Sequence, residues 1–393
     1  MKVIRGYKTE LDPNNVQRTN LLKHCGAARF AFNWGLAEKQ KAFEAKEKTP
    51  NAIELHRKLN ALKKSDFPWM YEVSKCSPQE ALRNLDRAYQ NFFNKCKGKK
   101  SGTFKGRLGF PRFKSKHRGI GSFRLTGTIK VANNSIQLPV LEIIKLKEKG
   151  YLPTEGVKIL SATVSEKAGR WFVSVQVEQE VADPKPKEPA IVGVDLGIKT
   201  LATVSDGTTY DNPKALRSRL KKLKRLSKDV SRKIKGSENR KKAVKKLAKL
   251  HYHISNIRKD VLHKMTTHLT KTKSCIGIEN LNVSGMMKNH CLAQAIQDLG
   301  LGEWRRQLDY KGKLYGCGIV VADRFFPSSK LCRFCGCVND KLTLADRLWT
   351  CDCGVVHDRD FNASKNLEHL AVSSTDSINA YGDEGSDVGL MAT

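Results

Sequence analysis

The chain is short of acid, of cysteine and of long apolar runs. Its 393 residues hold 39 Asp and Glu against 72 Lys and Arg, a formal net charge of +33. No apolar run approaches the ~18 residues a membrane span needs, so no anchor is expected. The stretch from Met1 to Asn15 has no apolar segment ahead of a cleavage-like site, so no signal peptide is expected either. Eleven cysteines are too sparse, and odd in number, for a secreted disulfide scaffold. Five of them lie between Cys332 and Cys353, which reads as a metal site in a reducing cytoplasm. Apolar residues make up 39% of the chain, enough for cores in two to three domains of roughly 150 residues but not for any wholly apolar part.

So large an excess of cation costs self-repulsion in a compact state and is tolerated when a polyanion neutralises it. Nucleic acid is the first candidate, because binding phosphates releases condensed counterions. An anionic membrane surface and a merely soluble basic surface are the alternatives. Clustering favours nucleic acid: Phe104, Phe110 and Phe113 alternate with Lys105, Arg112 and Lys114. Residues 214–249 hold 17 Lys and Arg against Asp229 and Glu238. Leu216, Leu220, Leu223, Leu226, Val230 and Ile234 fall on one face there, Gly236-Ser237 breaks the helix, and a second helix runs towards His268. This predicts a basic helical hairpin with an apolar seam. Its cations either are solvated or track a phosphate backbone.

Along the chain, residues 3–9 read as a strand, and Asp12-Pro13 as a helix start with Pro at the first position. Leu21, Cys25, Ala28, Phe32 and Leu36 recur at helical spacing, and Ser77-Pro78-Gln79-Glu80 reads as a capping box, so 14–97 is a helical block. Short strands follow, and Trp171, Val173, Val175 and Val177 alternate strictly; a small barrel or sandwich is expected. Residues 182–189 form a Pro- and charge-rich linker. Beyond it, AIVGVDLG and LATVSD read as strands. A late helix is expected to end near Leu370, and the acidic tail 371–393 to be disordered.

Three acids stand out. Asp195 ends the apolar run 191–194 and Glu279 ends a similar run, 275–278, so each carboxylate sits at the C-terminal edge of a buried strand. Such a carboxylate is costly unless paired or holding a cation, and strand ends of α/β sheets are where active sites form. Asp360 stands where the late helix begins. A sheet-edge salt bridge for the first two, and a helix N-cap for Asp360, are the plain alternatives. Taken together, the three suit hard divalent cations, which need several carboxylate oxygens in one place. The chemistry is then phosphodiester hydrolysis with two Mg²⁺ ions about 4 Å apart, Asp195 bridging them, and water as nucleophile.

Cys332-x-x-Cys335-Gly336 is followed, after fifteen residues from Gly336 through Thr350, by Cys351-x-Cys353-Gly354. Four thiolates complete a closed, structural zinc site. Glycine after each pair favours Cys335 and Cys353, with Cys337 a substitute. Cys25, Cys76, Cys96, Cys275, Cys291 and Cys317 read as core fillers.

The segments VGVDLGIKTLAT, GIENLNVSGM, FFPSSKLCRFCG and CGVVHDRDFNASKNL, together with LLKHCGAARFAFNWGL and GFPRFKSK, resemble the hallmarks of the TnpB (OrfB) proteins of insertion sequences, over essentially residues 1–370. These proteins are similar to compact type V CRISPR effectors. The resemblance implies a multidomain α+β chain. A RuvC-like, RNase H-type α/β nuclease domain would occupy 190–325 and 355–370, with a zinc-ribbon insert at 326–354. A helical recognition domain would occupy 14–97, and a small wedge-like β-barrel 1–13 and 98–181. It implies an RNA-guided DNA endonuclease that supports transposon retention. Its partners are a guide RNA from the transposon end and double-stranded target DNA beside a short motif, with no membrane. Asp195, Glu279 and Asp360 match the family's three acids and Mg²⁺ ligands, and Cys332, Cys335, Cys351 and Cys353 its zinc ligands, although the second cysteine pair is one residue short. A bacterial or archaeal, cytoplasmic, nucleoid-associated protein is implied. Ser77, Gln79, Arg83, Arg112 and Lys114 are candidate nucleic-acid contacts, and Phe110 and Phe113 candidate base-stacking rings. The competing readings are a conventional transposase without guide, an RNA-guided DNA-binding repressor, and a zinc-ribbon RNA-binding protein.

Overall fold

The computed structural model describes residues 1–185, 187–343 and 345–380. The chain forms two compact units that part between Ala182 and Asp183. In the first, β1 (Lys2–Asp12) leads into α1 (Asn15–Glu44), α2 (Ala52–Ala61) and α3 (Cys76–Lys100). Then come β2 (Ser122–Leu125), β3 (Lys130–Ala132), β4 (Ser135–Gln137), β5 (Ile143–Leu146), β6 (Val157–Lys167) and β7 (Arg170–Glu180). All seven strands form one antiparallel sheet in the order β2-β6-β7-β1-β5-β4-β3.

That sheet is open, which corrects the expected barrel. The reason lies in the core. Phe123, Leu125, Val164, Val173 and Val175 share one apolar cluster with Leu21, Phe32, Leu36, Leu82 and Leu85 of the helices. The helices cover the sheet's apolar face, so it need not close on itself, and the helical block and the strands share a single core.

Two helix starts also differ from expectation. Asn14, not Asp12, caps α1 in a capping box with Gln17; Asp12 ends β1, opposite Lys145 in the β1–β5 strand register. Ser77 does not cap α3, which begins one residue earlier; its buried hydroxyl donates to the His24 carbonyl of α1 at 2.9 Å.

The second unit opens with β8 (Ile191–Asp195), β9 (Thr200–Val204) and β10 (Thr209–Asp211). The basic hairpin follows as α4 (Leu220–Arg232) and α5 (Glu238–Thr272). Leu216, Leu223 and Leu226 meet Leu250 and Ile254 along its seam. Ile234, expected on that seam, is 81% exposed because α4 has already ended. Next are β11 (Cys275–Ile278), α6 (Val283–Met286), α7 (Ala293–Leu299), α8 (Leu301–Tyr315) and β12 (Gly318–Val321). The hairpin β13 (Leu348–Thr350) and β14 (Val356–Asp358) runs into α9 (Arg359–Ala380). The main sheet has the order β10-β9-β8-β11-β12, with β8, β11 and β12 parallel.

Alternation along β8 and β11 sorts the residues by face. Val192, Val194, Ile276 and Ile278 join Leu262, Met265, Leu269, Trp304 and Leu308 in a core formed with α5 and α8. Gly193 and Gly277, paired in register, face the other way. There α9 lies directly on them: a β-carbon at Gly193 would stand 1.9 Å from the Ser364 carbonyl oxygen, and one at Gly277 2.1 Å from that of Leu367. Ala371 is fully buried on the same contact, which carries α9 past Leu370 to Ala380. The expected disordered tail is therefore helical from 371 to 380, and its remainder, 381–393, lies outside the described residues.

Overpacking a filled site costs about 1–3 kcal/mol or more. Gly193→Ala and Gly277→Ala are each expected to lose that much stability in urea denaturation. Gly6→Ala in β1, whose added carbon meets only the Ser174 hydroxyl at 4.0 Å, should stay close to the parent. Equal midpoints for all three variants would refute the backbone-on-backbone contact.

Candidate active site and metal centre

Strand alternation carries the glycine face two residues on. Asp195 follows Gly193, and Glu279 follows Gly277, so both carboxylates rise on the side of the sheet that α9 covers, on adjacent parallel strands. On α9, Asp360 stands one turn before Ser364, on the stripe that continues through Leu367 and Ala371. The glycine contact thus directs three acids, far apart in sequence, to one place.

Electrostatics agree with that convergence. The Asp195 carboxyl is held well above the ordinary carboxylate range, first by burial and then by the charges of Glu279 and Asp360. Arg359 and a hydrogen bond from the Leu196 backbone pull the other way. Glu279 accepts from the Ser328 hydroxyl. Asp360 receives Arg347 at 3.1 Å and Arg359 at 3.7 Å. Among the described residues, ion pairs reach Asp360 alone of the three, so the sheet-edge salt bridge does not account for Asp195 and Glu279. Nor is Asp360 the helix cap. Asp358 takes that part, accepting from the Phe361 N–H at 2.8 Å.

The four thiols Cys332, Cys335, Cys351 and Cys353 have their sulfurs all within 4.8 Å of one another. Cys332 and Cys353 sulfurs are 3.8 Å apart, and those of Cys335 and Cys351 3.5 Å. Tetrahedral zinc with Zn–S bonds of about 2.3 Å needs sulfurs roughly 3.8 Å apart, so the donor set fits that ion. Cys337, exposed, stays outside the group. The Cys332 thiol comes down to about 6. Desolvation opposes ionisation but is outweighed by bonds from the Cys335 and Phe334 backbone and from His357. Among the described residues no equally tight group forms at the acids. Their chemistry, hard oxygens with too little positive charge nearby, fits a divalent ion.

Sequence reasoning missed the residues that hold these groups. Asn362 and Asn366, one turn apart on α9, both donate to the Leu331 carbonyl at 2.7 Å, and Asn366 also to that of Ser328 at 2.7 Å. His357, 2% exposed, places Nε2 3.1 Å from the Cys332 sulfur. The N-x-x-x-N spacing, one helical turn, was the signal available for the asparagines.

Of the suggested nucleic-acid contacts, Ser77 is ruled out as a base reader by its burial and its bond to His24. Gln79 is half-buried, and Arg83, exposed, pairs with Glu80 at 2.7 Å. Arg112 is exposed. Lys114 is exposed as a residue, yet its ammonium lies 3.9 Å from the centre of the Phe32 ring, and desolvation lowers its pKa. Phe110 and Phe113 are about half exposed, Phe110 with its ring at right angles to Tyr89 and Phe92. Two expected core cysteines depart as well: Cys291 is exposed and Cys96 half-buried.

Residues 174–290 match the OrfB_IS605 family, described as "Probable transposase", and residues 302–367 match "Cas12f1-like, TNB domain". A relative from Streptomyces pristinaespiralis, named "Putative RNA-guided DNA endonuclease", is 39% identical over 371 residues, covering 93% of this chain and 89% of its own length. The chain belongs to the OrfB (TnpB) family. InsQ of Escherichia coli (strain K12), which bears the same description, is 33% identical over 386 residues, covering 93% and 92%. The fold of this OrfB-family chain is also that of a solved Cas12f1–sgRNA–target DNA complex (TM-score 0.50, 16% identity, 90% of this chain and 82% of the other). The TNB match takes in the four cysteines and Asp360. Residues 1–48 match the family's "Helix-turn-helix domain", yet here they are β1 and one unbroken α1. No helix among the described residues is long and apolar enough to cross a membrane.

The raised Asp195 value has a measurable consequence. In Mg²⁺-free buffer the native state binds this proton more tightly than the unfolded chain. Stability therefore falls as pH rises from the ordinary carboxylate value through the raised one, and the full penalty stands above it. Asp195→Asn carries no such penalty. At neutral pH its melting temperature should exceed the parent's, and the gap should close in acid and on adding Mg²⁺. A gap independent of pH would contradict the like-charge cluster.

Proposed function

We propose that this chain is an RNA-guided DNA endonuclease of an insertion sequence. It pairs a guide RNA from the transposon end with double-stranded target DNA beside a short transposon-associated motif, and cuts that DNA in a RuvC-type, RNase H-like domain. The observation that carries the reading is the convergence of Asp195, Glu279 and Asp360 at the carboxyl ends of adjacent parallel strands under α9. The names borne by relatives 39% and 33% identical over nearly the whole chain support the guided part.

Divalent cations, two Mg²⁺ in this reading, supply when bound the charge that activates water and stabilises the leaving oxygen of an in-line displacement. Asp195 would be the ligand shared by the cations, and Glu279 and Asp360 would hold one cation each. Ser328 keeps the Glu279 oxygen in place. Arg347 pairs with Asp360 and balances its charge. The four cysteines hold one structural zinc. The α4–α5 hairpin, Arg112 and Lys114 contribute positive charge to backbone contacts, which read helix shape rather than sequence. Arg83 is a contact of the same kind, and Gln79 is a candidate reader of the short motif. The setting is the cytoplasm and nucleoid of a bacterial or archaeal host.

Sequencing the RNA that co-purifies with the protein tests the class directly. One discrete species ending in a segment complementary to flanking DNA is expected; random RNA, with strand transfer by RNA-free protein, would favour an unguided transposase. Asp195→Ala should retain guided binding in gel-shift assays and lose cleavage to background. Cutting equal to the parent's would remove Asp195 from the mechanism. Binding should weaken steeply with salt, in proportion to phosphates neutralised, and a flat dependence would contradict the electrostatic contribution.

A further inference from the structure

The cysteine cluster and the acids are joined by two short routes. On one, Ser328 bonds Glu279, and the Ser328 and Leu331 carbonyls, just before Cys332, receive Asn362 and Asn366 of α9. On the other, the Cys332 sulfur meets His357 Nε2 at 3.1 Å, and Asp360 follows three residues later. His357 sits opposite Trp349 in the β13–β14 register, their ring centres 4.5 Å apart, so the buried imidazole packs on the indole. The apolar cluster of this segment is small: Cys332, Trp349 and Cys351, with Leu342 against them. A core of that size does not fold on its own, and such segments draw their order from a bound metal.

We propose that His357 is a positioning residue that donates its Nε2–H to the metal-bound Cys332 thiolate and thereby couples loading of the cysteine cluster to the placement of Asp360 opposite Asp195 and Glu279. A thiolate accepts and does not donate, so the ring nitrogen facing it carries the proton. The donor removes electron density from the sulfur and fixes its direction, as partners of metal ligands generally do. Because β14 continues without a break into α9, holding His357 holds the first turn of that helix. Metal loading thus sets the third acid as well as the ribbon. The inference rests on reading the cysteines as a zinc site and the acids as the nuclease site.

The test uses full-length protein with its guide RNA, carrying His357→Phe, which keeps a ring for Trp349, or His357→Gln, which keeps an N–H at similar reach. Two quantities are read: the sulfur-to-cobalt charge-transfer band of the Co²⁺-loaded cluster, and the Mg²⁺ concentration for half-maximal cleavage. In His357→Phe the band should move to lower energy and the Mg²⁺ requirement should rise about 10–100-fold. In His357→Gln both should return most of the way. A Phe variant that matches the parent in both overturns the proposal, as does one whose band moves while its Mg²⁺ requirement does not. If the Phe variant loads no cobalt, the Gln variant decides: parent-like values support the coupling, and a displaced band and Mg²⁺ requirement overturn it. A parent protein without the cobalt band, or without guided cutting, would instead show that the underlying reading had failed, and the inference with it.

Discussion

The second unit depends on a helix lying against two strands at backbone distance. Side chains on both surfaces ordinarily hold a packed helix away from the backbone of a sheet. Here Gly193 and Gly277, cross-strand neighbours, remove that spacing, and the carbonyls of Ser364 and Leu367 occupy the room their β-carbons would have filled. Glycine within a strand costs conformational entropy and packs nothing. The cost is offset on the opposite face, where Val192, Val194, Ile276 and Ile278 are buried against α5 and α8. One geometric choice fixes the height of α9 above the sheet, and with it the separation of Asp360 from Asp195 and Glu279.

What could be read from the sequence was what a few neighbouring residues decide. The strand runs before Asp195 and Glu279, the basic hairpin and the cysteine pairs announce themselves within short windows, and all four expected thiols cluster. The reason for Gly193 lay some 170 residues away, in Ser364, and no local window contains it. The same limit explains the errors. Ser77 has a capping-box spacing, but the His24 carbonyl took its hydroxyl. The alternating strands of the first unit read equally well as barrel or open sheet, because closure turns on whether helices cover the apolar face, and α1 and α3 do. His357 stood in plain sight beside Asp360, yet its role becomes visible only when β13 pairs with β14.

Among the described residues, the three buried acids outside the site are structural, each held by cations. Buried Glu10 binds Arg170 and Lys147, and buried Glu80 binds Arg83 and Arg124. Asp298, 6% exposed, takes Arg258 at 2.8 Å and accepts from the Leu216 and Arg217 amides, anchoring the start of the basic hairpin. A dense run of like charge needs such an anchor, because the hairpin's own repulsion favours opening it.

That pattern gives weight to the exceptions. With 72 cationic side chains to 39 acidic ones, a buried carboxylate on this chain has many candidate partners. Asp195 and Glu279 have no ion-pair partner among the described residues: one is set against other acids, and the other is bonded to a serine hydroxyl. A fold under no other demand would relieve that repulsion with any nearby lysine. Two carboxylates without an ion-pair partner among the described residues, under a helix whose height two glycines fix, carry a cost of the kind that a bound divalent cation would offset.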